Sequence, residues 1–413
     1  MVQGAARRVA IPDRFRWHPE ARIVGPDGAE VRPVAEVPGA VIPSAPCGVA
    51  VAAALARGAA GLPFRVGGED MPAPEAGRRP VFETLTSGST GAPRRIRRSQ
   101  RSWCASFAVN AGLFGIGPGV RVAVPGRMVH SLSLYGALEG ACLGAEVHLL
   151  AGLRPDAQVA ALRAREVAVL YATPAQLRLM VEAGAASLPA LRRVIVGGSK
   201  LDAVLRAALG AIAPGAEVRE FYGAAEASFV TLTDATCAEG SVGRPYPGVR
   251  LEIRSPGGVV LGQGGVGEIW VKSPYLCDRY AGRRGMPALR QGGWLSVGEM
   301  GWMERGELYL AGRVGRMVTV ADQNVFPEEI EAFLAGLPGV RRVAVLPKAD
   351  LMRGHVLVAV MLGDAGREAE ILRAARQQLG PLKAPKAVIW RADWPELASG
   401  KTDLTRIAAE AGL

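Results

Sequence analysis

The chain has 413 residues, 49% of them apolar and 21% charged, with 53 Gly and 29 Pro dispersed along it. This excludes a small disulfide-stapled fold, a collagen-like repeat and broad disorder, and leaves apolar surface enough for about two sizeable cores. The formal charge of +11 comes almost wholly from arginines spread along the chain, the lysines being only Lys200, Lys272, Lys348, Lys383, Lys386 and Lys401. It reads as a compositional bias, so no nucleic-acid partner is expected.

In chain order, short β-branched runs alternate with helical-period segments, the pattern of an α/β layered fold. Strands are expected at Val120 to Val124, Glu146 to Leu150, Val167 to Tyr171 and Arg193 to Val196. Helices are expected at Ser133 to Leu143, Asp156 to Arg165 and Pro174 to Ala183. After about residue 240 the texture becomes β-rich, with the turns Gly257-Gly258, Gly264-Gly265 and Gly292-Gly293 separating runs such as Leu251 to Arg254 and Gly267 to Lys272. From Gly312 a third texture follows: a strand pair, a helix from Pro327 to Leu337, strands at Val340 to Leu346 and Val356 to Leu362, and a helix from Glu368 to Leu379. The expectation is a large layered domain over 1–311 with a β-rich subdomain, then a small α+β domain over 312–413.

Cys47, Cys104, Cys142, Cys237 and Cys277 are far apart and form no C-x-x-C pair, so reduced thiols and no zinc site are expected. No apolar run is long enough to span a membrane, and Arg7, Arg8, Pro12 and Asp13 interrupt the N-terminus. A cytoplasmic protein with no membrane partner is the expectation.

The densest chemical signal is Thr84-Leu85-Thr86-Ser87-Gly88-Ser89-Thr90-Gly91-Ala92-Pro93-Arg94. Glycines let backbone N–H groups approach an anion, the hydroxyls of Thr86, Ser87, Ser89 and Thr90 add donors, and the cluster Arg94, Arg95, Arg97, Arg98 and Arg101 supplies positive charge for a polyphosphate. The Walker spacing is absent: Gly400-Lys401-Thr402 has Pro395 where the first Gly would stand.

This loop resembles the phosphate-binding motif of the adenylate-forming enzymes, the superfamily of acyl-CoA synthetases, peptide-synthetase adenylation domains and luciferases. Further matches follow in the same order over roughly residues 80–404. Tyr222-Gly223-Ala224-Ala225-Glu226 is similar to the family's Tyr-Gly-x-Thr-Glu segment. The resemblance implies that Tyr222 stacks on adenine and that Glu226 holds Mg²⁺ beside the phosphates, with Ala225 replacing the usual Thr. Gly197-Gly198-Ser199 resembles the adenine-facing turn, with Lys200 in place of Pro. Glu299, within Gly293 to Gly301, stands where the family carries an Asp that grips the ribose diol.

Gly312-Arg313-Val314-Gly315-Arg316 and Asn324-Val325-Phe326-Pro327-Glu328-Glu329 are a second specific match. The resemblance makes Arg313 a nucleotide contact and Gly315 the hinge of a mobile C-terminal domain, where the family usually has Asp or Lys. The following turn has Ala321-Asp322 for the family's Gly pair, a turn that helps line the pantetheine tunnel. Ala398-Ser399-Gly400-Lys401 is similar to the family's Ser-Gly-Lys segment, whose Lys bridges carboxylate and α-phosphate oxygens.

Together these imply an AMP-forming ligase: MgATP adenylates a small-molecule carboxylic acid, and the thiol of CoA then attacks the acyl-adenylate. Lys401, Glu226 and Arg313 are the expected catalytic residues. By the same analogy the acid pocket is walled by His130, Ser131 and Tyr135, by Gly198 and by Gly223. The acid is expected to be aryl or short to medium chain, and the protein a monomer or homodimer. Two other readings stay open: the same adenylation with transfer to an acyl carrier protein, and a catalytically degenerate module that retains the fold, motivated by the departures at Ala225, Glu299, Gly315 and Ala321.

Overall fold

The computed structural model describes residues 11–86, 94–184, 187–282, 290–321, 323–397 and 402–413, except for the side chain at 324. They divide into two compact units, one of 11–86, 94–250 and 271–295, the other of 251–270 and the described residues of 296–413. Contact density therefore does not divide at the expected residue 312, since residues 251–270 and 296–311 group with the C-terminal segment.

The first unit is built on a nine-stranded sheet. Its strands run, from edge to edge, Arg244–Pro245, Ser228–Leu232, Glu217–Ala224, Arg193–Val196, Val169–Ala172, Arg121–Val124, Glu146–Leu149, Arg22–Val24 and Glu30–Val31. From Glu217–Ala224 across to Arg22–Val24 every neighbouring pair is parallel. Runs such as Val194-Ile195-Val196 are buried throughout, as strands covered on both faces must be. One face is covered by helices Pro155–Ala164, Pro174–Glu182 and Ala203–Ile212, through Val159, Leu162, Leu177, Met180, Leu205 and Leu209. Two of these helices start on side-chain caps: Thr173 forms a capping box with Gln176, and Asp202 accepts the Leu205 N–H at 2.8 Å.

A second sheet of the same unit has the order Arg279–Tyr280, Arg94–Ser99, Val81–Thr86, Phe64–Val66 and Val41–Ile42. Helix Ser131–Leu143 touches strands of both sheets. An aromatic cluster fills the space around it: Phe82 meets Trp103 at 4.6 Å between centroids, Tyr135 meets Trp103 and Phe107 at 5.0 Å each, and Phe229 at 5.4 Å.

In the second unit, strands Trp294–Glu304 and Glu307–Arg313 pair antiparallel. A short hairpin, Val318–Val320 with Gln323–Val325, precedes helix Pro327–Ala335. The strands Val340–Asp350 and Gly354–Gly363 form one long hairpin, longer than the hydrophobic runs predict because the pairing continues past the buried residues through the exposed Pro347, Lys348 and Ala349. Ala387–Arg391 completes that sheet in parallel. The core contains Val318, Val320, Val325, Ile330, Leu334, Val345, Leu357, Ala359 and Ile371. The last long helix runs on to Lys383, but Gly380 takes φ 79° and Pro381 follows, which ends the regular part near the expected Leu379.

A polar cluster is sealed inside the first unit. Glu139 is fully buried, accepts from Asn110 Nδ2 at 2.8 Å and from the Tyr171 hydroxyl, and lies beside Tyr135. Asn110 Oδ1 accepts from Tyr246 at 2.6 Å, and the Tyr135 hydroxyl donates to Ser106 at 2.7 Å. Burial raises the Glu139 pKa to about 7, against the hydrogen bonds from Tyr171, Asn110 and Tyr135, which favour the anion. Other titratable groups that face this cluster are the Cys142 thiol beside Glu139, Arg98 beside Tyr135 and Tyr275 beside Tyr246. The folded state thus holds its proton up to about pH 7, while the unfolded chain releases it in the ordinary carboxylate range, so this group's contribution to stability falls as pH rises through that interval. Glu139→Gln, which mimics the protonated acid, is expected to flatten the fall between pH 5 and pH 8. Thermal melts should show its Tm above that of the native chain by roughly 2–5 °C at pH 8, with little difference at pH 5.

Candidate active site

Ser87, Gly88, Ser89, Thr90 and Gly91 of the glycine-rich loop, and Lys401, lie outside the described residues. The structure does show the stalk on which that loop stands. Strands Val81–Thr86 and Arg94–Ser99 pair antiparallel from Val81 opposite Ser99 to Thr86 opposite Arg94, so the loop is closed at its base by those last two residues. The stalk is fixed by a buried ion cluster. Glu83 accepts from Arg65 Nη1 at 3.0 Å and from Arg95 Nε and Nη2 at 2.8 and 3.0 Å. Arg65, itself fully buried, also donates to the carbonyls of Gly67, Gly68, Met71 and Pro72. Removing one member of such a cluster leaves a buried charge unpaired, at about 3–5 kcal/mol.

The arginine cluster does not act as one patch. Arg95 is taken by Glu83, and Arg97 donates to the carbonyls of Glu75 and Ala76 at 2.8 and 3.0 Å. Arg98 is fully buried. Its Nη2 donates to Ala225 O at 2.9 Å, its Nη1 to Ser228 Oγ at 2.5 Å, and its guanidinium lies 5.5 Å over the Trp103 ring. Burial pulls its pKa down, with Cys277, Glu226 and Asp278 opposing. Arg94, at the loop exit, is exposed, and so is Arg101, whose Nη1 donates to Ile11 O at 3.4 Å. The burial follows position along the strand: Arg94 stands at its exposed end next to the loop, whereas Arg97 and Arg98, on opposite faces, lie deeper and are both buried.

Arg98 thereby holds the turn that carries Glu226. Strand Glu217–Ala224 pairs antiparallel with Ser228–Leu232, with a bulge between Tyr222 and Gly223. Ser228 sits in the left-handed region at φ 60° and accepts from both Arg98 and Trp103 Nε1. A Cβ on Gly223 would lie 2.2 Å from Ser228 O, so glycine is the residue this turn admits. Glu226 Oε1 accepts from the Tyr280 hydroxyl at 2.6 Å, and Oε2 has no hydrogen-bond donor among the described residues. A carboxylate oxygen with no described donor, on a side chain linked to Arg94 through Tyr280, fits a hard divalent cation as ligand. Tyr280 was not found from the sequence, where it is a lone Tyr beside Arg279 with no motif around it.

The other expected nucleotide residues of this unit lie at the carboxyl ends of two adjacent parallel strands, Arg193–Val196 and Glu217–Ala224, where open α/β sheets bind ligands. Gly198 and Ser199 are exposed, and Gly198 has φ 100°. Tyr222 is half-buried beside them. The phenyl ring of Phe221 packs on Gly197 so closely that a Cβ there would lie 2.2 Å from its Cζ.

His130 is joined to the loop stalk by a backbone bridge to Leu85 and precedes helix Ser131–Leu143. Burial, then Arg127, lowers its pKa, so it is a neutral imidazole near pH 7. The Ser131 hydroxyl is buried with no partner among the described residues. Tyr135, one turn on, is buried with its hydroxyl committed to Ser106 and Asn110, so it can offer a pocket only its ring.

In the second unit, Glu299 and Arg313 are directly opposite each other on paired strands, with Arg313 Nε 3.7 Å from Glu299 Oε1. Gly315 lies in a 3₁₀ turn, and a Cβ there would meet nothing within 4 Å. Glycine is not sterically required at the expected hinge. At Ala321, by contrast, φ is 45°, a left-handed value that favours glycine, and its N–H donates to Arg353 O at 3.0 Å. Among the described residues no cluster of His, Cys, Asp and Glu forms a metal site of three ligands, and no helix is long and apolar enough to cross a membrane.

The Phe221 contact gives a test of the turn. Gly197→Ala is expected to lose about 1–3 kcal/mol of stability by overpacking and to weaken ATP binding. Phe221→Leu in the same chain should restore part of both, read by denaturant melts and calorimetric ATP titration.

The chain matches the model of the AMP-binding enzyme family over residues 19–281 and that of the AMP-binding enzyme C-terminal domain over residues 329–401. It is 35% identical over 334 residues to a Bacillus subtilis protein named as an uncharacterized acyl-CoA ligase, YhfT, covering 79% of this chain and 68% of that one. It is 28% identical over 342 residues to the indoleacetate-CoA ligase of Aromatoleum aromaticum, covering 79% and 67%. Among solved structures, the amide bond synthetase McbA of Marinactinospora thermotolerans superposes with a TM-score of 0.71 at 28% identity, covering 80% of this chain and 69% of that one. Ordered motifs, a layered α/β fold and these matches converge, and the chain belongs to the AMP-binding enzyme family, as an adenylate-forming acid-thiol ligase of the acyl-CoA synthetase type.

Proposed function

We propose that this ligase joins an aryl or short- to medium-chain carboxylic acid to the thiol of CoA through an acyl-adenylate. The observation that carries the reading is the joining of the phosphate-loop stalk to the Glu226 turn through Arg98 and Tyr280. It links the Glu226 carboxylate, through Tyr280, to the exposed guanidinium of Arg94 at the base of a hydroxyl-rich loop, which supports the reading.

A carboxylate is a poor nucleophile and its oxygen a poor leaving group, so a thioester needs prior activation. The acid attacks the α-phosphate of ATP, pyrophosphate leaves, and the protein's part is positioning and charge neutralisation. In this proposal Ser87 to Arg94 hold the β- and γ-phosphates, Tyr222 with Gly197 and Gly198 receives the adenine, and Glu299 and Arg313 take the ribose side. Glu226 would hold Mg²⁺, which supplies positive charge to the phosphate oxygens. Lys401 neutralises charge on the reacting oxygens. A C-terminal domain from residue 312, turning at Gly315, then withdraws Lys401 and admits the thiol, which attacks the acyl carbon and releases AMP.

For the acid, the supports are the neutral His130 beside the loop stalk and the Tyr135 ring locked among Trp103, Phe107 and Phe229. A fixed aromatic floor one helical turn beneath His130 and Ser131 suits a compact acid better than a long chain. The relative named as an indoleacetate-CoA ligase points to the same class.

Acid-dependent pyrophosphate release from MgATP, measured without thiol across aryl and aliphatic acids, tests this. Turnover is expected with compact acids, and Lys401→Ala should lower it by roughly 10²-fold or more. AMP release should rise on adding CoA and not on adding a phosphopantetheinyl carrier protein. Silence across the panel while ATP still binds would contradict the proposal.

A further inference from the structure

The short strand Arg279–Tyr280 connects two parts of the site that are far apart in sequence. It pairs antiparallel with Arg94–Ser99, Arg279 opposite Arg97 and Tyr280 opposite Ile96. The bonds Asp278 N–H to Arg97 O and Ala281 N–H to Arg95 O, both 2.8 Å, extend that pairing. On its other side the Cys277 N–H donates to Glu226 O at 2.7 Å. Tyr280 then touches both parts with one side chain: its hydroxyl donates to Glu226 Oε1 at 2.6 Å, and the Arg94 guanidinium lies 5.7 Å over its ring.

We infer that Tyr280 is a positioning residue for metal-nucleotide binding: it fixes the Glu226 carboxylate with Oε2 turned to a divalent cation and seats Arg94 beside the same phosphates. The inference rests on the adenylation reading for what Glu226 binds. A glutamate in a turn has several rotamers of similar energy, and a ligand must select one of them at an entropic cost. The hydrogen bond makes that selection before the ligand arrives. The ring contact serves the second role, since a cation over an aromatic face is held without consuming the donors that a phosphate needs.

The test is calorimetric titration of ATP at a series of Mg²⁺ concentrations, with no acid present. Tyr280→Phe keeps the ring under Arg94 and removes only the hydroxyl. It should raise the Mg²⁺ concentration for half-maximal ATP binding by about tenfold, the order that one charge-assisted hydrogen bond is worth. ATP affinity in excess chelator should be unchanged. Tyr280→His, which returns an N–H donor on a ring, should recover part of the shift, and it carries the comparison if the Phe variant does not fold. In a Glu226→Gln background Tyr280→Phe should add nothing. An unchanged Mg²⁺ midpoint in Tyr280→Phe overturns the inference, as does an equal loss of affinity with and without Mg²⁺, the mark of a purely structural role. If the native chain binds ATP without regard to Mg²⁺, the adenylation reading itself falls and takes this inference with it.

Discussion

A guanidinium with no exposed surface and no carboxylate within ion-pair distance among the described residues is an expensive thing to bury, and the geometry of the candidate site depends on it. Arg98 is held by a backbone carbonyl, a serine hydroxyl and the face of Trp103. Those partners belong to the Glu226 turn and to helix Gln100–Phe114, while Arg98 itself belongs to the strand leaving the phosphate loop. Stripping a cation of water is compensated only by several well-placed partners, so the turn cannot shift without leaving the charge unsatisfied. The cost thereby becomes positional precision, which a site working by charge placement needs.

The surrounding packing serves the same end. The Arg65, Glu83 and Arg95 cluster stiffens the stalk, the Phe221 ring forces glycine at 197, and Ser228 O forces glycine at 223. The hydroxyl-rich loop thus begins and ends at fixed points, Thr86 and Arg94. In the other unit the departures from the family's pattern have local explanations. Glu299, a methylene longer than the usual Asp, lies opposite Arg313 and within ion-pair distance of it. Ala321 holds a left-handed conformation that the family fills with glycine, and the bond from its N–H to Arg353 O helps to hold it.

Much of this was legible in the sequence. The alternation of β-branched runs and amphipathic helices located four of the nine strands of the first sheet to within about two residues, Arg193–Val196 among them, because buried parallel strands must be continuously apolar. The motif order grouped Glu226, Tyr222 and Glu299 through their resemblance to one family's motifs. The rest depended on contacts distant in sequence. Val81–Thr86 and Arg94–Ser99 were not expected as strands, since Arg-Arg-Ile-Arg-Arg-Ser has the composition of a solvated surface and becomes a strand only with Glu83, Ala225 and Ser228 to receive its guanidinium groups. Tyr280 and the Glu139 cluster escaped for the same reason, since their partners come from separate helices, strands and loops. The boundary near residue 312 followed a change of texture, whereas contact density groups 251–270 and 296–311 with the C-terminal residues.

The buried guanidinium of Arg98 ties the loop's exit strand to the Glu226 turn and thereby sets the geometry of the proposed nucleotide site. Arg98→Met keeps much of the apolar volume and removes every hydrogen bond of the charge, so ATP titration of this variant at saturating Mg²⁺, paired with amide hydrogen exchange, tests it directly. At least a tenfold loss of ATP affinity is expected, with faster exchange at 224–228 and protection unchanged in the strands Val169–Ala172 and Arg193–Val196. Native affinity with the 224–228 amides still protected would contradict it.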